Sequence, residues 1–167
     1  MKWSRVSSLF IAAAAMLPAP GFAADPTATL TIHVQDLRPE GGILRLGVYD
    51  AARYPDDKSV PLASADVPVS GFETVITLHG IAPGTYAIET FQDINSNDKM
   101  DTTWLGIPLE PFGFSRDARP FLSKPDFSDV KFTLVAGDNT QVIHLQNFTG
   151  TSPTERARDA LRARQRK

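Results

Sequence analysis

Oxygen-bearing side chains recur at every second position in residues 93–101, where the sequence reads DINSNDKMD. Counted from Asp93 as position one, Asn95 and Asn97 stand at positions three and five, and Asp101 stands at position nine. Lys99, at position seven, would contribute its backbone carbonyl. Calcium takes roughly six to eight oxygen ligands, which a loop that folds back on itself supplies at this spacing. The segment therefore predicts a calcium-type loop.

Two positions depart from this pattern. Asp98 occupies position six, where glycine is usual, and Trp104 occupies position twelve, where a bidentate glutamate is usual. Glu110, further along the chain, is the candidate to supply the missing carboxylate. Any site would be weak, with a dissociation constant of roughly 10⁻⁴ to 10⁻³ M. The alternative is an ordinary turn in which Asp and Asn side chains cap their own backbone.

The predicted calcium-type loop opens a longer region, residues 93–129, which shows no convincing strand and is rich in Pro, Gly and Phe. Its many apolar residues argue against disorder, so we expect an ordered loop packed over the rest of the domain. Trp104, Phe112 and Phe114 are candidates for an exposed platform that binds a glycan, a peptide or an envelope protein. The alternative is that the phenylalanines form a small core of the loop itself.

The elements that must position this loop are short strands. Leu30, Ile32 and Val34 alternate with polar residues, and further alternating segments follow between turn signals. Pro68 places one weak strand at a sheet edge. Residues 130–135 and 141–146 are predicted to pair as a hairpin. The pattern predicts an all-β fold, an antiparallel β-sandwich of about seven strands, immunoglobulin-like or transthyretin-like, with one long ordered loop.

The N-terminus has the order of a cleavable secretory signal. Lys2 and Arg5 precede an apolar run at residues 6–17, and small residues flank Phe22. Residues 1–23 are therefore predicted to be a signal peptide that is cleaved after Ala23. The apolar run is too short to span a membrane, which needs roughly 20 residues. We expect a periplasmic or secreted protein with no transmembrane segment in the mature chain.

Charge divides the remaining chain into two parts. Residues 24–150, the predicted β-sandwich domain, contain 9 Lys or Arg and 17 Asp or Glu. Residues 151–167 contain 6 Lys or Arg and 2 Asp or Glu, and begin with a helix-capping sequence. They are predicted to be a basic tail, either disordered or a short frayed helix. The acidic domain argues against nucleic acid as a partner, because phosphate contacts need a basic face.

Composition also narrows the function. The chain has no Cys, and it contains neither a nucleophile elbow nor a glycine-rich phosphate loop. We therefore expect a non-enzymatic binding or structural module of the cell envelope. One alternative is a carbohydrate-active hydrolase that uses the carboxylates of Asp93, Asp101 and Glu110. Another alternative is a subunit of a surface assembly.

Several motifs follow one another along the chain: Leu78-x-x-Ile81-x-Pro83-Gly84-x-Tyr86, Asp93-x-Asn95-x-Asn97, Leu105-Gly106-Ile107-Pro108-x-Glu110-x-x-Gly113-Phe114-Ser115 and Pro125-x-Phe127-x-Asp129. Their order resembles domain of unknown function 2141, a family of secreted bacterial proteins without an assigned activity. The resemblance extends over roughly residues 30–145. It implies a β-sandwich and an exported protein, and it implies no activity. The family often has Gly where this chain has Asp98.

Overall fold

The structure, a computed structural model, describes residues 27–121 and 123–148. In this part of the chain eight strands form two sheets, which confirms the predicted all-β sandwich. A 3₁₀ turn (Ser115–Asp117) and one helical turn, α1 (Phe127–Val130), accompany them. The strands are β1 (Ala28–Gln35), β2 (Ile43–Tyr49), β3 (Ala63–Pro68), β4 (Glu73–Ile81), β5 (Gly84–Asp93), β6 (Phe112–Phe114), β7 (Phe132–Leu134) and β8 (Gly137–His144).

The small sheet has the order β4-β1-β8, so the first strand lies between the other two. β1 pairs with β4 in the antiparallel sense, but with β8 in the parallel sense, from Ala28 opposite Gly137 to Gln35 opposite His144. The predicted antiparallel sandwich therefore holds for the other strand pairs, and this one pair departs from it. The predicted hairpin was wrong, because β7 pairs with β5 and the chain crosses to the small sheet before β8 begins.

The large sheet has the order β3-β2-β5-β6, with β7 also paired to β5. β3 is an edge strand, as Pro68 predicted. β6 lies within the region that was predicted to lack strands, and Phe91 of β5 faces Phe112 of β6 in the ladder. β5 is thus the strand that organises the sheet, and its last residue is Asp93.

The inner core fills the space between the two sheets. Leu30, Ile32 and Val34 are fully buried there, as their alternation predicted. Residues from both sheets complete it, including Leu44, Ile88 and Ile143 in the ranges given above. Each such side chain contributes about 1.5–3 kcal/mol when it leaves water, which makes this core the main source of stability.

A second apolar cluster, here called the outer cluster, covers the other face of the large sheet. Its buried members are Tyr54, Ala87, Phe112, Phe114 and Val130. Phe112 and Phe114 are only 5% and 9% exposed, so assigning them to an exposed platform was wrong. The physical reason is that β6 pairs with β5, which draws both rings against the sheet as the core of the long loop.

Three predictions fall on residues outside the described ranges. The signal peptide (1–23) and the basic tail with its short helix (151–167) lie outside those ranges, as do both ends of the predicted domain (24–150). Across residues 27–121 and 123–148, no helix has both the length and the hydropathy to cross a membrane.

Candidate functional site

The predicted calcium-type loop is anchored by Asp93, whose side chain is fully buried at the end of β5. Its Oδ1 accepts the backbone N–H of Asn97 at 3.0 Å, and its Oδ2 accepts the N–H of Asp98 at 2.9 Å. Oδ2 also accepts the Nε–H of Arg45 at 2.8 Å. Asp93 therefore closes the loop on its own backbone and ties it to β2.

These contacts also set the charge of Asp93. Burial raises the pKa of the carboxyl, but the Arg45 bond and the N–H groups of Asn97 and Asp98 outweigh it, so the pKa lies below the ordinary 3.8. The side chain is thus a carboxylate at neutral pH. An acid of this kind has no proton to give to a leaving group, and its oxygens are already engaged.

Glu110 holds the two ends of the loop together. Its Oε1 accepts the N–H of Ile94 at 2.8 Å, and its Oε2 accepts the N–H of Asp101 at 3.0 Å. The side chain is buried. The sequence predicted that Glu110 would join this loop, and the structure brings it there as an acceptor for backbone N–H groups.

The middle of the loop is closed by its amide side chains. Asn95 and Asn97 each donate through Nδ2 to Asp101, at 2.6 Å and 3.0 Å. Asn95 Oδ1 accepts the N–H of Asn97, and Asn97 Oδ1 accepts the N–H of Lys99, both at 3.2 Å. The five predicted ligand side chains therefore converge on one loop, and the side chain of Lys99 is exposed. Across the described ranges, no group of three or more His, Cys, Asp or Glu residues is arranged to hold a metal ion.

Gly42 lies immediately before β2, against the start of the loop, and was not recognised in the sequence as part of the site. Its φ is +90°, a left-handed conformation that favours glycine. A Cβ at this position would lie 2.2 Å from the carbonyl oxygen of Asp93 and 2.6 Å from Cα of Ile94. No residue larger than glycine fits unless the start of the loop moves.

Arg45 connects the loop to the adjacent surface. Its Nε donates to Asp93, one terminal nitrogen donates to Asp66 at 2.8 Å, and the other donates to Asp98. One guanidinium therefore serves three carboxylates that come from two strands and the loop. Sequence reasoning missed Arg45, because its partners are brought to it only by strand pairing.

A groove of about 650 Å³, here called the outer groove, lies beside Arg45 on the outer face of the large sheet. Tyr49 and Phe91, both half-buried, line it together with Met100 from the loop. The ring of Tyr49 lies directly over Gly47, where a Cβ would be 2.7 Å from the ring. A groove of this size with mixed apolar and charged walls is typical of small-ligand sites.

Lys124 lies at another part of the outer groove, among acceptors. Its Nζ donates to the carbonyl oxygen of Tyr54 at 2.6 Å and to Asp57 at 2.7 Å, and lies 4.4 Å from the centre of the Tyr54 ring. Glu89 Oε1 is 2.8 Å from the same nitrogen. Burial lowers the pKa of Lys124, but the contacts with Asp57 and Glu89 outweigh burial and raise the pKa above its ordinary value, so Lys124 stays charged.

Glu89 has fewer partners than the loop carboxylates. Its Oε1 is buried against Nζ of Lys124 at 2.8 Å, and that ammonium is shared with Asp57. Burial raises the pKa of Glu89 above the ordinary 4.5, and Lys124 offsets this only in part. The side chain remains 26% exposed and lines the outer groove. Glu89 was not predicted, since a single acid within a strand has no motif around it.

Trp104 lies on a small hairpin that contributes Gly106 and Pro108 to the lining of the outer groove. The hairpin is closed by the N–H of Thr103 on the carbonyl of Ile107 at 2.8 Å and by the N–H of Gly106 on the carbonyl of Thr103 at 2.9 Å. Trp104 is 91% exposed, and Gly106 and Pro108 line the groove. Of the three predicted platform residues, Trp104 alone is on the surface.

Fold and site together define an all-β sandwich protein with a groove and a capped Asp/Asn loop on the outer face of its larger sheet. The chain belongs to the family described as "Uncharacterized protein conserved in bacteria (DUF2141)", whose sequence profile matches residues 32–143. This confirms the family resemblance found in the sequence. No curated protein and no solved structure matches the chain.

Proposed function

We propose that this protein is a secreted or periplasmic binding module of the bacterial cell envelope, and that the outer groove is its ligand site. The observation that carries the proposal is the groove itself, with aromatic walls and charged side chains, and with the exposed Trp104 on the hairpin that contributes Gly106 and Pro108 to its lining. Ligand sites commonly combine an apolar surface with a few fixed polar groups in this way. The ligand would be a component of the envelope: a glycan, a peptide or a protein.

The exported location is supported by the N-terminal sequence, with its positive, apolar and small-residue segments in order. Cell fractionation and N-terminal sequencing of the processed protein test it. We expect the protein in the periplasm or the medium, beginning at Ala24. An intact N-terminus on a cytoplasmic protein would contradict this part of the proposal.

A binding role is favoured over hydrolysis by the state of the loop carboxylates. Asp93 and Glu110 each use both oxygens to hold backbone N–H groups, and Asp101 accepts two side-chain amides. A glycoside hydrolase needs one carboxyl that donates a proton and another that attacks or activates water. The contacts of these three residues instead support a structural role.

The calcium hypothesis belongs to the same loop, and any cation would act there as a structural element. The ligands would be Asp93, Asn95, Asn97, the carbonyl of Lys99, Asp101 and Glu110. The two Asn side chains now direct N–H groups at Asp101, so cation binding would have to replace these hydrogen bonds. This exchange supports a weak site, in keeping with the millimolar range expected for extracellular modules.

Capture of envelope components tests the binding site. Ser64 is exposed and lines the outer groove, so Ser64→Trp fills the groove with an indole ring. Thr140→Trp is the matched control, since Thr140 is exposed on an edge strand of the small sheet. We expect Ser64→Trp to lose the captured component and Thr140→Trp to keep it. Equal capture by both variants would overturn the assignment of the groove.

Trp104 and the competing functions can be tested in the same system. Trp104→Ala should weaken capture, while Phe72→Ala, at another exposed aromatic position outside the groove lining, should not. A glycan array with product analysis separates binding from turnover, and released sugar would favour the hydrolase. Recovery of one stoichiometric protein partner would favour the surface-assembly alternative.

A further inference from the structure

The charged side chains of the outer groove are unevenly balanced. Four carboxylates and two basic side chains line it. Both basic groups are already committed to acidic partners, Arg45 to three carboxylates and Lys124 to Asp57 and Glu89. The groove therefore offers an incoming ligand negative charge in excess.

Glu89 provides a specific place for a positive group. Its Oε1 lies 2.8 Å from Nζ of Lys124, and the same ammonium lies 2.7 Å from a carboxylate oxygen of Asp57. One positive charge therefore faces two carboxylates, which leaves negative charge in excess beside Glu89. A donor that reaches the exposed part of this carboxylate would compensate its desolvated charge.

The walls next to Glu89 suit the rest of such a ligand. Tyr49 and Phe91 are half-buried aromatic side chains of β2 and β5, and Met100 adds an apolar surface from the loop. Aromatic faces attract ammonium and guanidinium groups as well as apolar carbon. A neutral sugar would leave the excess negative charge uncompensated, and an anion would meet no uncommitted basic side chain in the described lining.

We propose that the outer groove binds a small organic cation, an amine or guanidinium borne on an apolar body, with the cation on Glu89 and the body between Tyr49 and Phe91. This inference rests on the proposed function, and it assigns to the same site a small cationic ligand in place of the glycan, peptide or protein named there. Three properties carry it: the acidic lining, the carboxylate of Glu89 that shares Lys124 with Asp57, and the aromatic walls.

Three probes with one ring and different head groups test the proposal by calorimetry on the full chain. They are 2-phenylethylamine, 2-phenylethanol and 3-phenylpropionate. We expect the amine to bind at least about tenfold more tightly than the alcohol, and the carboxylate to bind least. Equal or tighter binding of the carboxylate would overturn the inference, and this comparison needs no variant.

A charge-removing variant locates the cation. Glu89→Gln should weaken amine binding by about tenfold or more and leave the alcohol unchanged. Asp138→Asn, which removes an exposed acid of β8 outside the groove lining, should change neither. A thermal melt of each variant establishes that it is folded. Unchanged amine affinity in folded Glu89→Gln would overturn the assignment to Glu89.

The ligand class and the proposed function can fail separately. If Ser64→Trp abolishes envelope capture but no amine binds, the groove is the ligand site and the cation assignment is wrong. If amines bind and Ser64→Trp leaves capture intact, the proposed function of the groove is wrong.

Residues 151–167 are another source of guanidinium groups. A synthetic peptide of that sequence that displaces the amine at lower concentration than the amine's own Kd would overturn the small-molecule assignment.

Discussion

The two basic side chains of the outer groove are held in different ways. Arg45 gives each of its three nitrogens to a different carboxylate, and one of these, Asp93, is fully buried and closes a loop. Lys124 also lies among carboxylates, but its one positive charge is shared by Glu89 and Asp57, and both acids line the groove. At Arg45 the charges are used to build the structure, whereas at Glu89 part of the charge remains uncompensated.

This difference predicts that the Arg45 end of the outer groove contributes mainly to stability and the Glu89 end mainly to ligand binding. A carboxylate whose oxygens all accept hydrogen bonds stabilises the fold, and removing it leaves its donors without partners. A carboxylate that shares a single ammonium with another acid gains from a ligand that supplies a further positive group. The predictions that follow test this division, beginning at the Arg45 end, where we expect the largest effects.

Asp93→Ala should be the most destabilising change at either end. It leaves two backbone N–H groups and the Arg45 side chain without their shared acceptor, which costs about 3 kcal/mol or more. Urea unfolding measures it. The control is Asp66→Ala, because Asp66 binds the same Arg45 but its side chain is 60% exposed, and we expect a loss of about 0.5 kcal/mol. Equal losses would show that burial of Asp93 does not set its contribution.

Gly42→Ala should follow, because a methyl group cannot fit between β2 and the start of the loop. We expect a loss of about 2–3 kcal/mol, from the left-handed backbone and the clash together. Gly80→Ala isolates the cost of the left-handed backbone, because the φ of Gly80 is +73° and a Cβ there meets nothing within 4 Å. That variant should lose about 1 kcal/mol. Similar losses from both variants would mean that the loop moves aside freely.

Calcium should have a smaller effect on the same loop. At millimolar concentration and with a weak site, binding to the folded state adds about 0.5–1.5 kcal/mol, which raises Tm by a few degrees. Thermal melts in calcium and in chelator measure the difference. Asp101→Asn should reduce it, and Asp138→Asn, at an exposed position of β8, should not. Identical melts of the wild type in calcium, magnesium and chelator would identify the loop as an ordinary capped turn.

Glu89→Gln should have the smallest effect on stability, less than about 1 kcal/mol. The pKa of Glu89 is raised in the folded protein, so the folded state takes up the proton more readily than the unfolded state. Glu89 therefore contributes most to stability below the ordinary pKa of 4.5. This contribution is lost as the pH rises through the folded pKa, and above that pKa it changes no further. Urea unfolding of both proteins across this range should show their difference changing with that sign. The opposite sign would mean that Lys124 fully compensates Glu89.

The sequence predicted best what is local or periodic. Leu30, Ile32 and Val34 alternate with polar residues because their side chains face the core, so the alternation identified both the strand and its inward face. The calcium-type loop was recognised because Asp93, Asn95 and Asn97 are neighbours in the chain. Their convergence with Asp101 and Glu110 followed from the same loop.

What the sequence did not predict depends on strand pairing. Arg45 and Asp93 are 48 residues apart and meet only because β2 and β5 are neighbours. The sequence does not show whether Phe112 and Phe114 face water or the outer cluster. Their pairing with Phe91 and Glu89 in the sheet is what buries them. The last strand has an alternation that fits either sheet, so its parallel partner β1 was not foreseen.

That parallel pair has a consequence for how the chain folds. β1 is the central strand of the small sheet, yet one of its two neighbours consists of residues 137–144, near the other end of the described chain. Pairings between distant segments form slowly, because a long loop must close before any contact is gained. We expect the emerging chain to keep one edge of β1 open until synthesis has reached β8. Completion of the small sheet is therefore a late event, and a chain that ends before residue 137 should be unable to reach the native state.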